Sequence, residues 1–342
     1  MWVFGDSFDL YATISDLQTG YWDSGTTSTF SLTAGRFPDS QALTVNGANT
    51  SALKTSGSND AIHHITVSYL QVNPFSSTDG MYFTLLDGAT AQCTVKFQLD
   101  GKIVLQSGAV NGTALATFPG IVTLQNQWYA FEIEIVINNT TGSIRGRVNN
   151  AMSDTFALVN IDTQASANAY ANALKLGVYG NGVAKMDDFL WRAHPLAVPW
   201  VGDIRCYTQM PTSDVSKQFT PLTGTSNFAM VNEPQEDKAT TYVYSSTVNN
   251  ADFYGIAPLG LTPAQIVAVT ARAFAQKSDA GSRSGAVQLK SGGTTAQGAN
   301  GHTLTAGTWA WMWDTYNNDP NTGAAWTTAG VNALQIGPVL LT

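Results

Sequence analysis

Two glutamates, Glu132 and Glu134, are the side chains of this sequence that most invite an enzymatic interpretation. They lie two positions apart in an alternating segment, 129–137, so in a β-strand both would point to the same face. Retaining glycoside hydrolases use two carboxyl groups about 5–5.5 Å apart. The residues that follow Glu134 are Ile, Val and Ile, so no third carboxylate extends the pair. The pattern therefore favours a solvated strand face, and we expect the protein not to be an enzyme.

Acidic side chains near the two ends of the first half could form a cation site if the first and last strands pair. They are Asp6, Asp9, Asp187 and Asp188. Calcium takes about six to eight oxygen ligands, and these aspartates have no dedicated loop spacing. The sequence favours a structural role for Asp187 and Asp188 in a closing turn, with Ca²⁺ as the weaker alternative. No other metal or cofactor is expected.

Three tryptophans, Trp309, Trp311 and Trp313, alternate along one predicted strand and would line one of its faces. Packing in the core is the first interpretation, since a buried indole needs only a partner for its N–H group. The alternative is a subunit interface or a platform for stacking sugars, because tryptophan is enriched at binding hot spots. These residues are our candidates for an interface.

The composition excludes several classes of function. Only 12% of the 342 residues are charged, with 16 Lys plus Arg and a formal net charge of −8, so binding to nucleic acid phosphates is not expected. No apolar run approaches the ~20 residues that span a bilayer, and residues 1–8 lack the features of a signal peptide. Cys93 and Cys206 lie in different halves and are interpreted as buried free thiols.

Segments that alternate with period two dominate the chain and predict an all-β, antiparallel fold. The turn Asp100-Gly101 between 93–99 and 103–106 indicates a hairpin. The predicted strands of the first half are 65–72, 93–99, 103–106, 129–137, 143–148, 154–160, 174–179 and 187–193. Those of the second half are 203–207, 228–231, 241–245, 266–276, 284–290, 308–314 and 334–341, with a short helix in 325–333. Residues 262–266 have the Thr and Pro of a helix start, but the alternation that follows favours a brief turn and then a strand.

Two prolines in the segment 194–200 cannot continue a central strand and mark a domain boundary. We therefore predict a first β-sandwich over 1–194, a linker over 195–200 and a second sandwich over 201–342. Each half is long enough to bury a core of its own, so we expect both to fold independently.

The first half resembles the concanavalin A-like, or laminin-G-like, jelly roll found in phage proteins. Three stretches carry this resemblance in order: FGDSFDLY (4–11) with GYWD (20–23), the hairpin 128–148, and LGVYGNGVAKMDDFLW (176–191). The glucanases related to this fold use a Glu-x-Asp-x-x-Glu run, which Glu132 and Glu134 do not reproduce.

The second half is similar to a domain that accompanies such jelly rolls in virion proteins of tailed bacteriophages. The carrying motifs are VGDIRC (201–206), NFAMVNEP (227–234), TTYVYSS (240–246), DAGSR (279–283), DPNTGAAWT (319–327) and VNALQIG (331–337). The resemblance implies a structural component of the particle, synthesised in the host bacterial cytoplasm and located in the virion.

Within that class we expect a tail-mounted fibre, spike or adaptor that helps the particle attach to the host surface. The alternatives are a capsid decoration protein that stabilises the shell, a free carbohydrate-binding module and a glycan-degrading enzyme. The expected partners are other virion proteins, host surface glycans and further copies of the same chain, with a trimer as the expected homo-oligomer.

Overall fold

The computed structural model describes residues 1–47, 50–74, 77–196, 198–298 and 301–342. Strands account for 48% of the chain and helices for 4%, and the paired strands run antiparallel. The predicted all-β fold is therefore confirmed. Within the described ranges, no helix is both long and apolar enough to cross a membrane.

The chain divides into two compact units. The first unit comprises Met1–Asp9, Thr13–Gln18 and Trp22–Cys206, and the second comprises Leu10–Ala12, Thr19–Tyr21 and Tyr207–Thr342. The chain thus passes into the second unit after residue 206 and not at the linker predicted over 195–200, of which residue 197 lies outside the described residues. The segment after the prolines stays with the first unit because its backbone is hydrogen-bonded there.

The strands of the first unit are, in chain order, β1 (Trp2–Asp6), β2 (Ser24–Thr26), β3 (Ser31–Ala34), β4 (Gln41–Asn46), β5 (Thr50–Asp60), β6 (Ile62–Gln71), β7 (Gly80–Asp87), β8 (Thr90–Gln98), β9 (Ile103–Ser107), β10 (Ala114–Phe118), β11 (Trp128–Val136), β12 (Gly142–Val148), β13 (Phe156–Ile161), β14 (Ala171–Tyr179) and β15 (Val183–His194). A 3-10 helix spans Ile14–Gln18.

Among the described residues these strands form two sheets. The eight-stranded sheet has the order β13-β12-β11-β6-β15-β4-β3, with β1 also paired to β15. The seven-stranded sheet has the order β10-β9-β8-β7-β14-β5-β2. Aromatic rings fill the space between the two sheets, where Phe97 lies 5.0 Å from Phe131 and Phe83 lies 5.8 Å from Phe189. The first unit is therefore a sandwich with one shared core.

Local sequence explains the hairpins of this sandwich. Gly101 adopts a φ of 83° in the turn between β8 and β9, a conformation that glycine reaches without steric cost. In the turn between β11 and β12, the Asn138 carboxamide oxygen accepts the backbone N–H groups of Thr140 and Thr141. Both hairpins match the sequence-based expectation, and they fix the register of the strands that carry the site described below.

The second unit contains β16 (Pro211–Ser216), β17 (Thr220–Pro221), β18 (Val243–Tyr244), β19 (Phe253–Ile256), β20 (Val269–Ala275), β21 (Ser284–Ser291), β22 (Thr294–Gln297), β23 (His302–Thr303), β24 (Ala310–Tyr316) and β25 (Gln335–Leu340). It also contains a 3-10 helix at Phe228–Met230 and the helix α1 (Thr328–Asn332), which Thr327 caps by accepting the Gly330 N–H.

The strands of the second unit form a six-stranded sheet, β16-β19-β25-β21-β22 with β23 on β21, and the two-stranded ribbons β17-β18 and β20-β24 among the described residues. The strands predicted over 203–207 and 228–231 are wrong, because 203–207 is irregular and Phe228–Met230 is a 3-10 turn. Residues 262–266 form no helix and lead into β20, in agreement with the predicted turn and strand, and α1 lies inside the predicted 325–333.

Candidate functional site

The outward face of the seven-stranded sheet carries polar side chains in register across three adjacent strands. Tyr82 of β7 pairs with Lys96 of β8 on one side and with Gly177 of β14 on the other. Because alternate residues of a strand share a face, the same side of the sheet receives further residues two positions along. We call this group the polar face, which consists of Tyr82, Thr84, Thr94, Lys96, Lys175 and Tyr179.

The polar face is recessed. Lys96 is only 3% exposed and Tyr82 only 5% exposed, although both point away from the aromatic core. Lys175 and Tyr179 are half-buried and lie where the face is more open. The buried hydroxyls of Thr84 and Thr94 form a hydrogen bond of 2.7 Å with each other, so each already has a partner within the protein. A small number of fixed polar groups beside an aromatic ring is a common feature of ligand sites.

The ring of Tyr82 lies across β14 at Gly177. A Cβ atom placed on Gly177 would come within 2.5 Å of Tyr82 Cζ and 2.4 Å of its hydroxyl oxygen. Only a residue without a side chain leaves room for the phenol at this place. Burial raises the pKa of Tyr82, so the hydroxyl keeps its proton and remains a donor at neutral pH.

The Lys96 ammonium interacts with an aromatic ring and, over longer distances, with two carboxylates. Its Nζ lies 5.2 Å from the centre of the Tyr179 ring, a cation–π distance. Burial lowers the pKa of Lys96, while attraction to Asp79 and Asp100 opposes that shift. Those two carboxylates have other partners, since Asp79 accepts the Asn181 N–H and Asp100 pairs with Lys102.

Within the part of the chain that the structure describes, neither the Lys96 ammonium nor the Tyr82 hydroxyl forms a hydrogen bond or an ion pair. A nearly buried ammonium without a hydrogen-bonded anion is costly to maintain, because desolvation is not compensated by a direct contact. The polar face therefore offers two donors and an aromatic ring to a ligand.

Glu132 and Glu134 do not lie on a solvated face, as the sequence suggested, but are 2% and 6% exposed. Glu132 accepts the N–H groups of Val201 and Gly202, both at 2.7 Å, and a guanidinium N–H of Arg192 at 3.0 Å. The prediction of a solvated face is wrong because a later part of the chain returns to cover the strand. We call this part, residues 198–206, the covering segment.

Glu134 completes a row of charges across the eight-stranded sheet. Its carboxylate lies 2.9 Å from His64 Nε2 and 3.5 Å from an Arg145 guanidinium nitrogen. The hydrogen bond with His64 is the main cause that lowers the pKa of Glu134. We call this outward surface the charged face, which consists of His64, Glu132, Glu134, Arg145 and Arg192.

The covering segment seals the charged face through side chains as well as backbone. The Trp200 ring lies 4.6 Å from the Arg147 guanidinium and 5.4 Å from the His64 ring. Arg192 donates to the Pro199 carbonyl at 3.1 Å. Glu132 of this face is thus a structural partner of the covering segment.

Asp187 and Asp188 fix loops of the first unit. Asp187 accepts the Arg36 N–H at 2.7 Å and the Ser40 hydroxyl at 3.0 Å, and Asp188 accepts the Cys206 N–H at 2.7 Å. Burial, followed by repulsion from Asp187, raises the pKa of Asp188. The described residues include no group of three or more His, Cys, Asp or Glu side chains that could hold a metal ion.

The two other candidate aspartates, Asp6 and Asp9, accept hydrogen bonds from different residues. β1 pairs with β15 as the sequence suggested, with Asp6 opposite Phe189. Asp6 accepts the Trp22 indole N–H at 2.8 Å, whereas Asp9 accepts the Gln41 N–H at 2.7 Å. Each carboxylate therefore has a local structural partner.

The three tryptophans occupy different environments in the second unit. Trp311 is 6% exposed and packs 4.7 Å from Phe274. Trp313 is half-buried, 5.3 Å from Tyr21, and donates its indole N–H to the Gly20 carbonyl. Trp309 precedes β24 and stacks at 5.8 Å on Phe274. The packing of Trp311 agrees with the core interpretation, and the role of the three residues as an interface stays a prediction.

The sequence-based candidates did not include Tyr82, Lys96 or Gly177. The one available signal was the alternation of Thr94 and Lys96 with apolar residues in a correctly predicted strand. That signal shows which side chains point outward from β8 but not which strands lie beside it. The site could be recognised only after β7, β8 and β14 had been placed next to one another.

No protein-family model matches the chain, and no curated protein matches it in sequence. Solved structures with a related fold include the cellulose induced protein Cip1, at 14% identity, 57% of this chain, 100% of that chain and a TM-score of 0.40. Domain 4 of AbnA, a GH43 extracellular arabinanase from Geobacillus stearothermophilus in complex with arabinotriose, is 15% identical over 58% of this chain and 96% of that one, with a TM-score of 0.37.

A sialidase is 9% identical over 56% of this chain, with a TM-score of 0.39, and only 18% of its own length is covered. The chain therefore corresponds to less than one fifth of that protein. At TM-scores of 0.40 or lower, none of these similarities assigns an activity or a ligand to the chain.

Proposed function

We propose that the chain is a non-catalytic carbohydrate-binding protein and that the glycan binds on the polar face. The supporting observation is the recessed pair of Tyr82 and Lys96, whose polar atoms have no protein partner among the described residues. Sugars present hydroxyl groups that accept such hydrogen bonds, and they present C–H surfaces that pack on aromatic rings. Tyr179 supplies a half-buried ring next to the two donors.

The charged face supports a non-catalytic role. Glycoside hydrolysis requires a carboxylic acid that is still protonated near neutral pH, which proteins achieve by raising its pKa. His64 lowers the pKa of Glu134, and Glu132 is engaged by two backbone N–H groups and Arg192. Incubation with bacterial surface glycans should therefore release no reducing ends, and release that disappears in Glu134→Gln would contradict this proposal.

Binding to an array of bacterial surface polysaccharides tests the proposed function. Tyr82→Ala removes both the ring and the hydroxyl and should reduce binding about tenfold or more. Tyr244→Ala is the matched control, since Tyr244 is 52% exposed and belongs to the second unit. Tyr82→Phe keeps the ring and removes only the hydroxyl, so it tests the site even if Tyr82→Ala fails to fold. Circular dichroism checks that each variant is folded. If no polysaccharide binds to the wild-type protein, the proposal is wrong.

A second proposal concerns where the protein acts. The motifs in 1–193 and 201–337 that resemble virion proteins favour a component of a tailed-phage particle, mounted on the tail and used for attachment. Capsid decoration is the alternative within this class. Antibody labelling of purified particles in the electron microscope distinguishes tail from capsid, and particles without label would contradict both. Light scattering tests the expected trimer.

A further inference from the structure

We propose that the polar face selects acidic glycans, with a sugar carboxylate bound by the Lys96 ammonium and the Tyr82 hydroxyl. This inference rests on the proposed function, because it names the class of glycan that the same face would bind. It goes beyond carbohydrate binding in general, since a neutral sugar would leave the charge of Lys96 without an anion.

The distribution of charge supports an anionic ligand. The chain has a net charge of −8. Nevertheless, the two lysines of the polar face, Lys96 and Lys175, form no ion pair with any described residue. The carboxylates that influence Lys96 through space, Asp79 and Asp100, are bonded to Asn181 and Lys102. The polar face therefore carries positive charge that no carboxylate of the described residues contacts directly.

The register of the strands places Tyr82 and Lys96 next to each other on one face of the sheet. Tyr82 and Lys96 are direct partners in the antiparallel pair of β7 and β8, and such partners have Cβ atoms about 4.5–5.5 Å apart. One carboxylate has two oxygens, so it can accept from an ammonium and a phenol at the same time. Charge-assisted bonds of this type are shorter and stronger than those between neutral groups.

The second lysine extends the face toward the more open side. Lys175 pairs with Thr84, two residues along β7 from Tyr82, and is half-buried. Side chains two residues apart on a strand lie on one face about 7 Å apart. Lys175 can therefore meet a second anionic group of the same chain of sugars. Two lysines are too few for the basic stripe by which proteins bind nucleic acids, so a polyanionic glycan fits the face better than a nucleic acid.

The decisive experiment uses the full-length protein and an array of bacterial capsular and O-antigen polysaccharides. Each acidic polysaccharide is printed in its native form and in a carboxyl-reduced form, which has the same sugars without the charge. We expect binding only to native acidic polysaccharides, with at least a tenfold loss after carboxyl reduction. Lys96→Met keeps the aliphatic stem and should cause a similar loss, whereas Lys217→Met in the second unit should cause none.

The outcomes separate the two levels of the proposal. Equal binding to native and carboxyl-reduced forms, or binding by Lys96→Met within twofold of the wild-type protein, would overturn selectivity for acidic glycans and leave carbohydrate binding intact. Binding to neutral polysaccharides alone would have the same consequence. If nothing on the array binds, the proposed function is wrong and this inference falls with it. Thermal melting of Lys96→Met confirms that the variant is folded.

Discussion

The two outward faces of the first unit differ in whether their buried polar side chains have partners within the protein. On the charged face, Glu132 and Glu134 each have partners from neighbouring strands, and the covering segment adds backbone donors. On the polar face, Lys96 and Tyr82 have similarly small exposed fractions but have no such partners within the described residues. Burial alone therefore does not distinguish a structural polar group from a binding group.

The difference lies in whether the chain itself satisfies the buried groups. A buried charge with hydrogen-bonded partners contributes to a unique packing, and breaking such a set is strongly destabilising. A buried donor without a partner is available to a ligand at the cost of some stability. Substitutions on the two faces should therefore differ in what they affect, with folding changed on one face and binding on the other.

The largest expected effect comes from removing the covering segment. A fragment 1–194 leaves Glu132 without the N–H groups of Val201 and Gly202 and should lose cooperative unfolding, whereas 1–206 should retain it. Thermal melts followed by near-ultraviolet circular dichroism measure both fragments. Equal melting temperatures would show that the segment does not stabilise the charged face.

A pair of single substitutions tests the same contrast without truncation. Glu132→Gln replaces one carboxylate oxygen by an NH2 group, which donates and cannot accept, and it removes the negative charge that pairs with Arg192. It should lower the free energy of unfolding by about 3–5 kcal/mol. Lys96→Met removes no hydrogen bond and should change it by less than about 1 kcal/mol. Urea denaturation measures both values, and similar losses would remove the distinction between the faces.

Within the first unit, protonation of histidines should affect only the eight-stranded sheet, since His63, His64 and His194 all lie there. Burial lowers the pKa of His63 to about 3, below the value near 6.5 of an unfolded chain. Between these values the unfolded state binds the proton and the folded state does not, so stability falls as the pH falls. The expected loss from pH 6.5 to 5 is about 2 kcal/mol.

Chemical denaturation at pH 7, 6 and 5 measures this loss, and His63→Gln is the control variant. In the wild-type protein, His63 Nε2 lies 2.9 Å from the Asp60 carbonyl and Nδ1 accepts from the Trp191 indole N–H at 3.2 Å. Glutamine can also donate and accept, but it does not titrate. A pH dependence in His63→Gln as steep as that of the wild-type protein would assign the effect to other groups.

The smallest expected effect concerns the pH dependence of glycan binding. Because burial lowers the pKa of Lys96, its charge should be lost at a pH below the ordinary lysine range. Binding of an acidic polysaccharide should therefore weaken as the pH rises from 7 toward 10. Calorimetric titrations at several pH values measure the change, and Lys96→Arg, which stays charged, should not show it if it binds at all.

The sequence predicted local features of the fold well and distant contacts poorly. Alternation and the turn at Asp100-Gly101 identified β8 and β9, because both signals lie within fifteen residues. The burial of Glu132 was not predictable, because the donors at Val201 and Gly202 lie 69 and 70 residues later. The residues that lie next to Lys96 on the polar face also depend on the order of the strands in the sheet, and no short-range pattern specifies that order.

The aromatic cluster of the second unit illustrates the same limit. The alternation of Trp311 and Trp313 correctly predicted a strand with one aromatic side. It did not predict that Tyr11 and Tyr21 pack on these rings at 5.9 and 5.3 Å, or that the Arg272 guanidinium lies 3.6 Å from the centre of the Tyr21 ring. Such contacts join residues about 250 to 300 positions apart, far beyond any periodic signal.

The assignment of Leu10–Ala12 and Thr19–Tyr21 to the second unit has a consequence for biosynthesis. These residues are synthesised before their aromatic partners, since Trp311 and Trp313 follow about three hundred residues later. At a translation rate of roughly 5–20 residues per second, the tyrosines wait on the order of 15–60 s for their partners. During that interval Tyr11 and Tyr21 stay without these partners on the nascent chain, and transiently exposed hydrophobic surface of this kind is what chaperones bind.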